Sequence, residues 1–157
     1  MVKFVKYVNK EFAFEISYPD YWEVNESDPF TAVVFWAPLE TMKDKYKESL
    51  KIVCFQNSED KPSDYLVTFS SKMVEEALSD EDSTQIIEPL SDALLSGFPA
   101  KQFSYMRQVN KLNIYTYRIW TIYNNSDYHI LWFSEMRDKD RYKPYFNKMI
   151  RSFKISF

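Results

Sequence analysis

Ala100-Lys101-Gln102-Phe103-Ser104-Tyr105-Met106-Arg107-Gln108-Val109, Ile114-Tyr115-Thr116-Tyr117-Arg118-Ile119-Trp120-Thr121-Ile122-Tyr123 and Tyr128-His129-Ile130-Leu131-Trp132-Phe133-Ser134-Glu135 are three runs rich in aromatic and β-branched side chains. Asn110-Lys111 separates the first two, and Asn124-Asn125-Ser126-Asp127 lies between the last two. Runs of this composition bounded by Asn and Asp read as strands joined by tight turns, so the stretch predicts an antiparallel meander.

Upstream, Leu66, Phe69, Met73 and Ala77 recur at spacings of three and four, and Val67, Val74 and Leu78 widen the stripe. That period predicts an amphipathic helix from about Ser63 to Leu78. Ser63 after Pro62 is its expected N-cap, Asp64 suits the dipole in the first turn, and Asp80-Glu81-Asp82 ends it. Thr84–Leu90 then reads as a strand end. Downstream, Tyr142, Phe146, Met149, Ile150 and Phe153 fall on one side of a second helical pattern, with Arg141, Lys148 and Arg151 opposite. Proline suits only the first helical turn, so this helix is predicted to start close to Pro144 and to end near Ser152, with Phe153–Phe157 as a short terminal strand.

At the other end of the chain, Val2–Tyr7 and Phe12–Tyr18 alternate as short strands, with Phe12, Phe14, Ile16 and Tyr18 on one face. Pro19-Asp20 ends the second. Phe30–Ala37, between two prolines, reads as a more fully buried strand, Glu40–Ser49 as a solvated arm or loop, and Leu50–Gln56 as another strand. Hairpins with one helix mid-chain and one near the end define an α+β class, an antiparallel sheet flanked by helices. No repeat or linker interrupts the 157 residues, so 1–157 reads as a single domain.

Three strings resemble the PsbP-like family. They are Phe14-Glu15-Ile16-Ser17-Tyr18-Pro19-Asp20-Tyr21-Trp22, Leu95-Ser96-Gly97-Phe98-Pro99-Ala100-Lys101 and Ile150-Arg151-Ser152-Phe153-Lys154-Ile155. In that family an early strand ends in Tyr-Pro-x-x-Trp, a Gly-x-Pro-Ala turn opens a long hairpin, and a final helix runs into Ser-Phe. The resemblance implies an α/β/α sandwich around an antiparallel sheet, a fold shared with Ran-binding nuclear-import factors. No functional residue carries over, because the matching positions, Pro19, Trp22, Gly97, Pro99 and Phe153, have structural roles.

Counts exclude several chemistries. With one Gly, one Cys and one His, the chain has no glycine-rich phosphate cradle, no Gly-x-Ser-x-Gly nucleophile elbow and no Cys/His zinc set. No catalytic residue, metal ligand or cofactor is therefore assigned. A net charge of -3, from 20 Lys+Arg against 23 Asp+Glu, argues against a nucleic-acid partner. Residues 1–79 hold 9 basic and 14 acidic side chains, whereas 80–157 hold 11 and 9. The opening Met1–Tyr7 is broken by lysines, unlike a signal-peptide core, and Ala32–Ala37 is far short of the roughly 20 apolar residues that span a bilayer. A cytoplasmic location is the expectation.

His129, the only imidazole, alternates with Leu131 and Phe133 and reads as a partly buried, hydrogen-bonded core residue rather than a general base. Cys54 shares a face with Leu50 and Ile52 and reads as a small buried hydrophobe. Asp80-Glu81-Asp82 fails as an EF-hand because Gln85 and Ser91 stand where Gly and Glu are required. Two surfaces remain as candidate protein-binding sites. One is the basic face Arg141, Lys148 and Arg151, suited to an acidic protein patch or to peripheral contact with an anionic membrane. The other is the tyrosine face Tyr115, Tyr117 and Tyr123, with Tyr105 expected across the hairpin. The leading expectation is a non-enzymatic protein-interaction or assembly module. Its alternatives are a small-ligand carrier with an aromatic-lined pocket of roughly 300 Å³ or more between sheet and helix, and a factor binding a Ran-type GTPase.

Overall fold

In the computed structural model, residues 1–41, 44–56, 65–79 and 84–156 are described. In chain order the elements are β1 (Phe4–Asn9), β2 (Phe14–Pro19), β3 (Glu23–Asn25), β4 (Val33–Trp36), β5 (Ser49–Gln56), α1 (Tyr65–Ser79), β6 (Gln85–Leu95), β7 (Phe98–Val109), β8 (Leu112–Tyr123) and β9 (Ser126–Glu135). A 3-10 turn, Met136–Asp138, leads into α2 (Lys139–Ser152) and β10 (Lys154–Ile155). The helix-start signals at Pro62, Ser63 and Asp64, the Val67 side chain, the Asp80-Glu81-Asp82 run and Phe157 lie outside the described residues.

The meander forms as its turn residues dictate. Ser96 and Gly97 (φ 53° and 80°), Asn110 and Lys111 (50° and 67°), and Asn124 and Asn125 (48° and 63°) all occupy the left-handed region. Two such residues in succession turn the chain with the twist that neighbouring strands need. β6 therefore joins β7, β8 and β9 as a fourth antiparallel strand, longer than the expected Thr84–Leu90. As the edge strand it carries register shifts between Ile86 and Ser91 and an exposed Pro89, which discourage pairing with another chain.

β9 returns to the front of the chain by pairing with β5, giving a seven-stranded sheet of order β3-β4-β5-β9-β8-β7-β6. A second sheet has the order β1-β2-β10. Strand alternation sends Tyr128, Ile130 and Trp132 to one face of the large sheet, where they pack with Tyr142, Phe146 and Met149 of α2 and with Phe14 and Ile16 of the small sheet. Phe103, Tyr105 and Trp120 pack on the other face with Met73 and Ala77 of α1. The helices thus cover opposite faces, the α/β/α arrangement expected.

The three sequence strings meet in space. The Ser17 N–H donates to Ser152 Oγ at 2.8 Å, and the Ile155 N–H donates to Ser96 Oγ at 2.9 Å. The ring centroids of Phe14 and Phe153 are 5.4 Å apart, and those of Trp22 and Phe146 are 5.5 Å apart. Trp22 and Phe153 are core residues, as expected.

Three local expectations are corrected and one strand is added. α2 begins at Lys139, five residues before Pro144, which lies inside the helix; both Pro144 and Asp140, whose carbonyl loses its partner there, are exposed residues, a setting in which solvent can take the place of the lost donor. The buried strand expected over Phe30–Ala37 starts only at Val33, because Asp28 accepts the Phe30 N–H at 2.9 Å and holds the chain in a turn. The Glu40–Ser49 arm is not solvated throughout, since Glu48 is 1% exposed. Its carbonyl accepts the Ala37 N–H at 2.9 Å, which continues the β4–β5 ladder. β3 is an additional strand without alternation of its own, formed against the edge of β4.

Candidate functional site

Of the tyrosine face, Tyr115 and Tyr117 lie together, their ring centroids 4.8 and 5.9 Å from that of Trp132. Tyr115 is buried, and its hydroxyl donates to Glu88, which also accepts from Ser104 Oγ at 2.7 Å. That Tyr115 hydroxyl holds the Glu88 carboxyl below its ordinary range. The Tyr117 hydroxyl donates to Gln102 and is pushed up to about 12, first by burial and then by the Glu88 charge. Tyr123 sits at the far end of β8 with its ring 4.7 Å from Phe98. Tyr105 pairs with Thr116 and belongs to the opposite face, which corrects the expectation that it lies across from these tyrosines. Tyr115↔Met106 and Tyr117↔Ser104 are the actual cross-strand pairs.

The basic face of α2 divides too. Arg141 is tied down, with Nη1 2.6 Å from Glu40 and Nη2 3.1 Å from Asp138. Lys148 Nζ lies 4.2 Å above the Phe4 ring, a cation–π contact made by a side chain that stays exposed. Arg151 is exposed in the last turn.

His129 shares its face with Leu131, as the alternation requires, but it is deeper than expected. It is 3% exposed, bordered by Phe55, Phe69 and Trp120. Among the described residues neither ring nitrogen has a hydrogen-bond partner, and Asp127 approaches Nε2 only to 3.9 Å. The expected hydrogen-bonded imidazole is corrected accordingly. Burial lowers its pKa, opposed by Asp127 and assisted by the Arg118 charge. Cys54 is half-buried, and burial pushes its thiol up, the opposite of a reactive thiolate. Among the described residues no three His, Cys, Asp or Glu side chains are grouped to hold a metal ion.

A feature without a periodic signature lies where the β1–β2 turn meets the segment before β4 and the end of β5. A groove of about 510 Å³ there is lined by Phe12, Phe30 and Phe55 and by the carboxylates of Glu11, Glu26 and Asp28. Phe30 is 84% and Phe55 53% exposed. The loops are held by local bonds: Asn9 Oδ1 accepts the Phe12 N–H at 2.9 Å, and the Tyr7 hydroxyl donates to Glu26 at 3.0 Å. A second groove of about 380 Å³ is lined by Val34, Trp36, Tyr46, Lys51 and Phe133. Both open at the surface, unlike the enclosed pocket between sheet and helix that the carrier expectation pictured. A sequence signal for the first groove existed in the surplus of carboxylates over residues 1–79, but which rings stay uncovered depends on the fold.

Arrangement of the sheets and helices identifies the architecture by comparison. The solution structure of PsbP from the cyanobacterium Synechocystis sp. PCC 6803 superposes with a TM-score of 0.68, covering 99% of this chain and 94% of that one at 15% identity. This chain has the PsbP fold. The same PsbP fold is shared by LpqN of Mycobacterium tuberculosis, involved in cell envelope biogenesis, with a TM-score of 0.65, 10% identity and coverage of 99% and 92%. The Saccharomyces cerevisiae Ran-binding protein Mog1p superposes at 0.59, with 9% identity and coverage of 99% and 96%. No family model and no curated protein matches the sequence. Among the described residues no helix of this PsbP fold is long and apolar enough to cross a membrane.

Proposed function

We propose that this chain is a non-enzymatic protein-interaction module. The observation that carries this reading is the exposure of Phe30 and Phe55 beside one groove. Exposed apolar residues are ordinary when scattered, and grouped ones rimmed by polar groups mark contact surfaces. The one imidazole points the same way, being buried rather than presented to a substrate, and the half-buried Cys54 thiol, which borders the groove, is held in its protonated form by burial. Mog1p, a neighbour in fold, is described as Ran-binding, and a Ran-type GTPase is the narrower form of this reading. The exposed cations of α2, Lys148 and Arg151, form a second surface on which an acidic partner would dock.

The test is crosslinked affinity capture from native lysate with the wild type, Phe30→Ser/Phe55→Ser and Lys148→Glu/Arg151→Glu. A stoichiometric protein retained by the wild type and lost by one variant is the expected result. Retention of no protein, with a small molecule co-purifying, overturns it in favour of ligand carriage. That second reading is favoured by the groove at Trp36, Tyr46 and Phe133, and native mass spectrometry of the purified chain tests it directly.

A further inference from the structure

We propose that the groove between the β1–β2 turn and the segment preceding β4 binds its protein partner through a short segment in which Lys or Arg stands beside a large apolar side chain. This inference rests on the interaction-module reading and adds the chemistry of the partner. At about 510 Å³ the groove lies within the roughly 300–1,000 Å³ of sites that enclose ligand groups. Its two contributions are distinct. Phe12, Phe30 and Phe55 offer apolar surface that a partner's side chain removes from water. Glu11, Glu26 and Asp28 offer three carboxylates, and among the described residues no Lys or Arg forms an ion pair with any of them.

An acidic rim without an ion-paired Lys or Arg among the described residues repels phosphate, nucleic acid and anionic lipid, and attracts a cationic segment over a distance set by ionic strength. The same rim discriminates against a purely apolar partner, which would desolvate carboxylates without pairing them. The surface is also prepared in advance. Asp28 accepts the Phe30 N–H at 2.9 Å, its carbonyl accepts the Thr31 N–H at 3.2 Å, and Asn9 fixes Phe12. A backbone already fixed in these turns needs less ordering on binding. The remaining occupant to be distinguished is a second copy of this chain, presenting its own α2 cations.

Selection of short random peptides on the intact wild-type chain, followed by titration of the enriched peptides, tests the proposal. The expected peptides combine Lys or Arg with an aromatic or aliphatic residue. Their affinity falls roughly tenfold or more for Phe30→Ser/Phe55→Ser, as loss of central anchors produces. Glu11→Gln/Glu26→Gln/Asp28→Asn weakens them as well and flattens the loss of affinity between about 50 and about 500 mM salt. These carboxylate variants keep the acceptors that hold the turns, and circular dichroism confirms the fold. The proposal is overturned if nothing is enriched, if enriched peptides are acidic or uncharged, if they ignore both variants, or if the chain dimerises through Phe30. A lysate partner retained by both groove variants but lost by Lys148→Glu/Arg151→Glu removes this proposal and leaves the module reading intact.

Discussion

The backbone N–H of Glu135, the last residue of β9, donates to the buried Glu48 carboxylate at 3.2 Å, across 87 positions of sequence. Burial pushes that carboxyl from an ordinary 4.5 up to about 7, helped by the Asp44 and Asp138 charges and opposed by backbone N–H donors. A raised carboxyl pKa means that the folded state binds the proton more tightly than the unfolded chain. Glu48 therefore favours folding most below pH 4.5, and this contribution is lost as pH rises to about 7. Glu48→Gln keeps an acceptor without the charge. It is expected to raise stability at pH 8 by up to about 3 kcal/mol and to change it little at pH 4, read from urea midpoints at both values.

His129 has the opposite slope. Its folded pKa lies below the ordinary 6.5, so its contribution is complete above pH 6.5 and declines as pH falls toward the lower folded value. Asp127 and Arg118 are the charged groups that act on it. Between pH 4.5 and 6.5 the Glu48 and His129 slopes cancel in part. His129→Leu is expected to expose the Glu48 slope, with stability falling as pH rises through that window, while Glu48→Gln exposes the reverse. Thermal midpoints of the two variants across pH distinguish the slopes.

Phe146 joins the layers, its ring stacked 4.6 Å from Trp132 of the large sheet and 5.5 Å from Trp22. It is fully buried. Phe146→Ala is expected to cost about 3–5 kcal/mol in denaturant unfolding, with loss of near-ultraviolet tryptophan signals at lower temperature than in the wild type.

Backbone strain sits on Lys111, a non-glycine residue at φ 67°. Lys111→Gly is expected to stabilise by about 0.5–1 kcal/mol, the relief of the left-handed cost less the added freedom of the unfolded glycine. Gly97→Ala should do the reverse by a similar amount. An added Cβ at Gly97 meets nothing within 4 Å, so this loss reports backbone conformation alone. Urea titration of both variants measures the pair.

On α2, Arg141→Glu breaks the contacts to Glu40 and Asp138 and is expected to cost about 0.5–1 kcal/mol, the scale of exposed ion pairs. Arg151→Glu should stay within about 0.5 kcal/mol of the wild type. A partner lost by Arg151→Glu in capture experiments thus reports docking rather than unfolding.

The meander was legible because its information is local. Asn110, Asn124 and Gly97 tolerate the left-handed turns, and alternation assigns Trp132 and His129 to opposite faces wherever the strand is placed. The amphipathic stripes of α1 and α2 were legible for the same reason. The start of α2 was not, because tolerance of Pro144 depended on Asp140 facing water. β3 had no pattern to read; its three residues are held by the edge that β4 offers.

Composition and periodicity alone were sufficient for the α+β class, the hairpin turns and which side chains share a face, since all of these are properties of neighbours along the chain. Burial of Glu48, burial of His129 against three rings and exposure of Phe30 and Phe55 were decided only by packing. Each depends on segments far apart in sequence, and local pattern carries no record of which distant partner covers a residue and which leaves it to water.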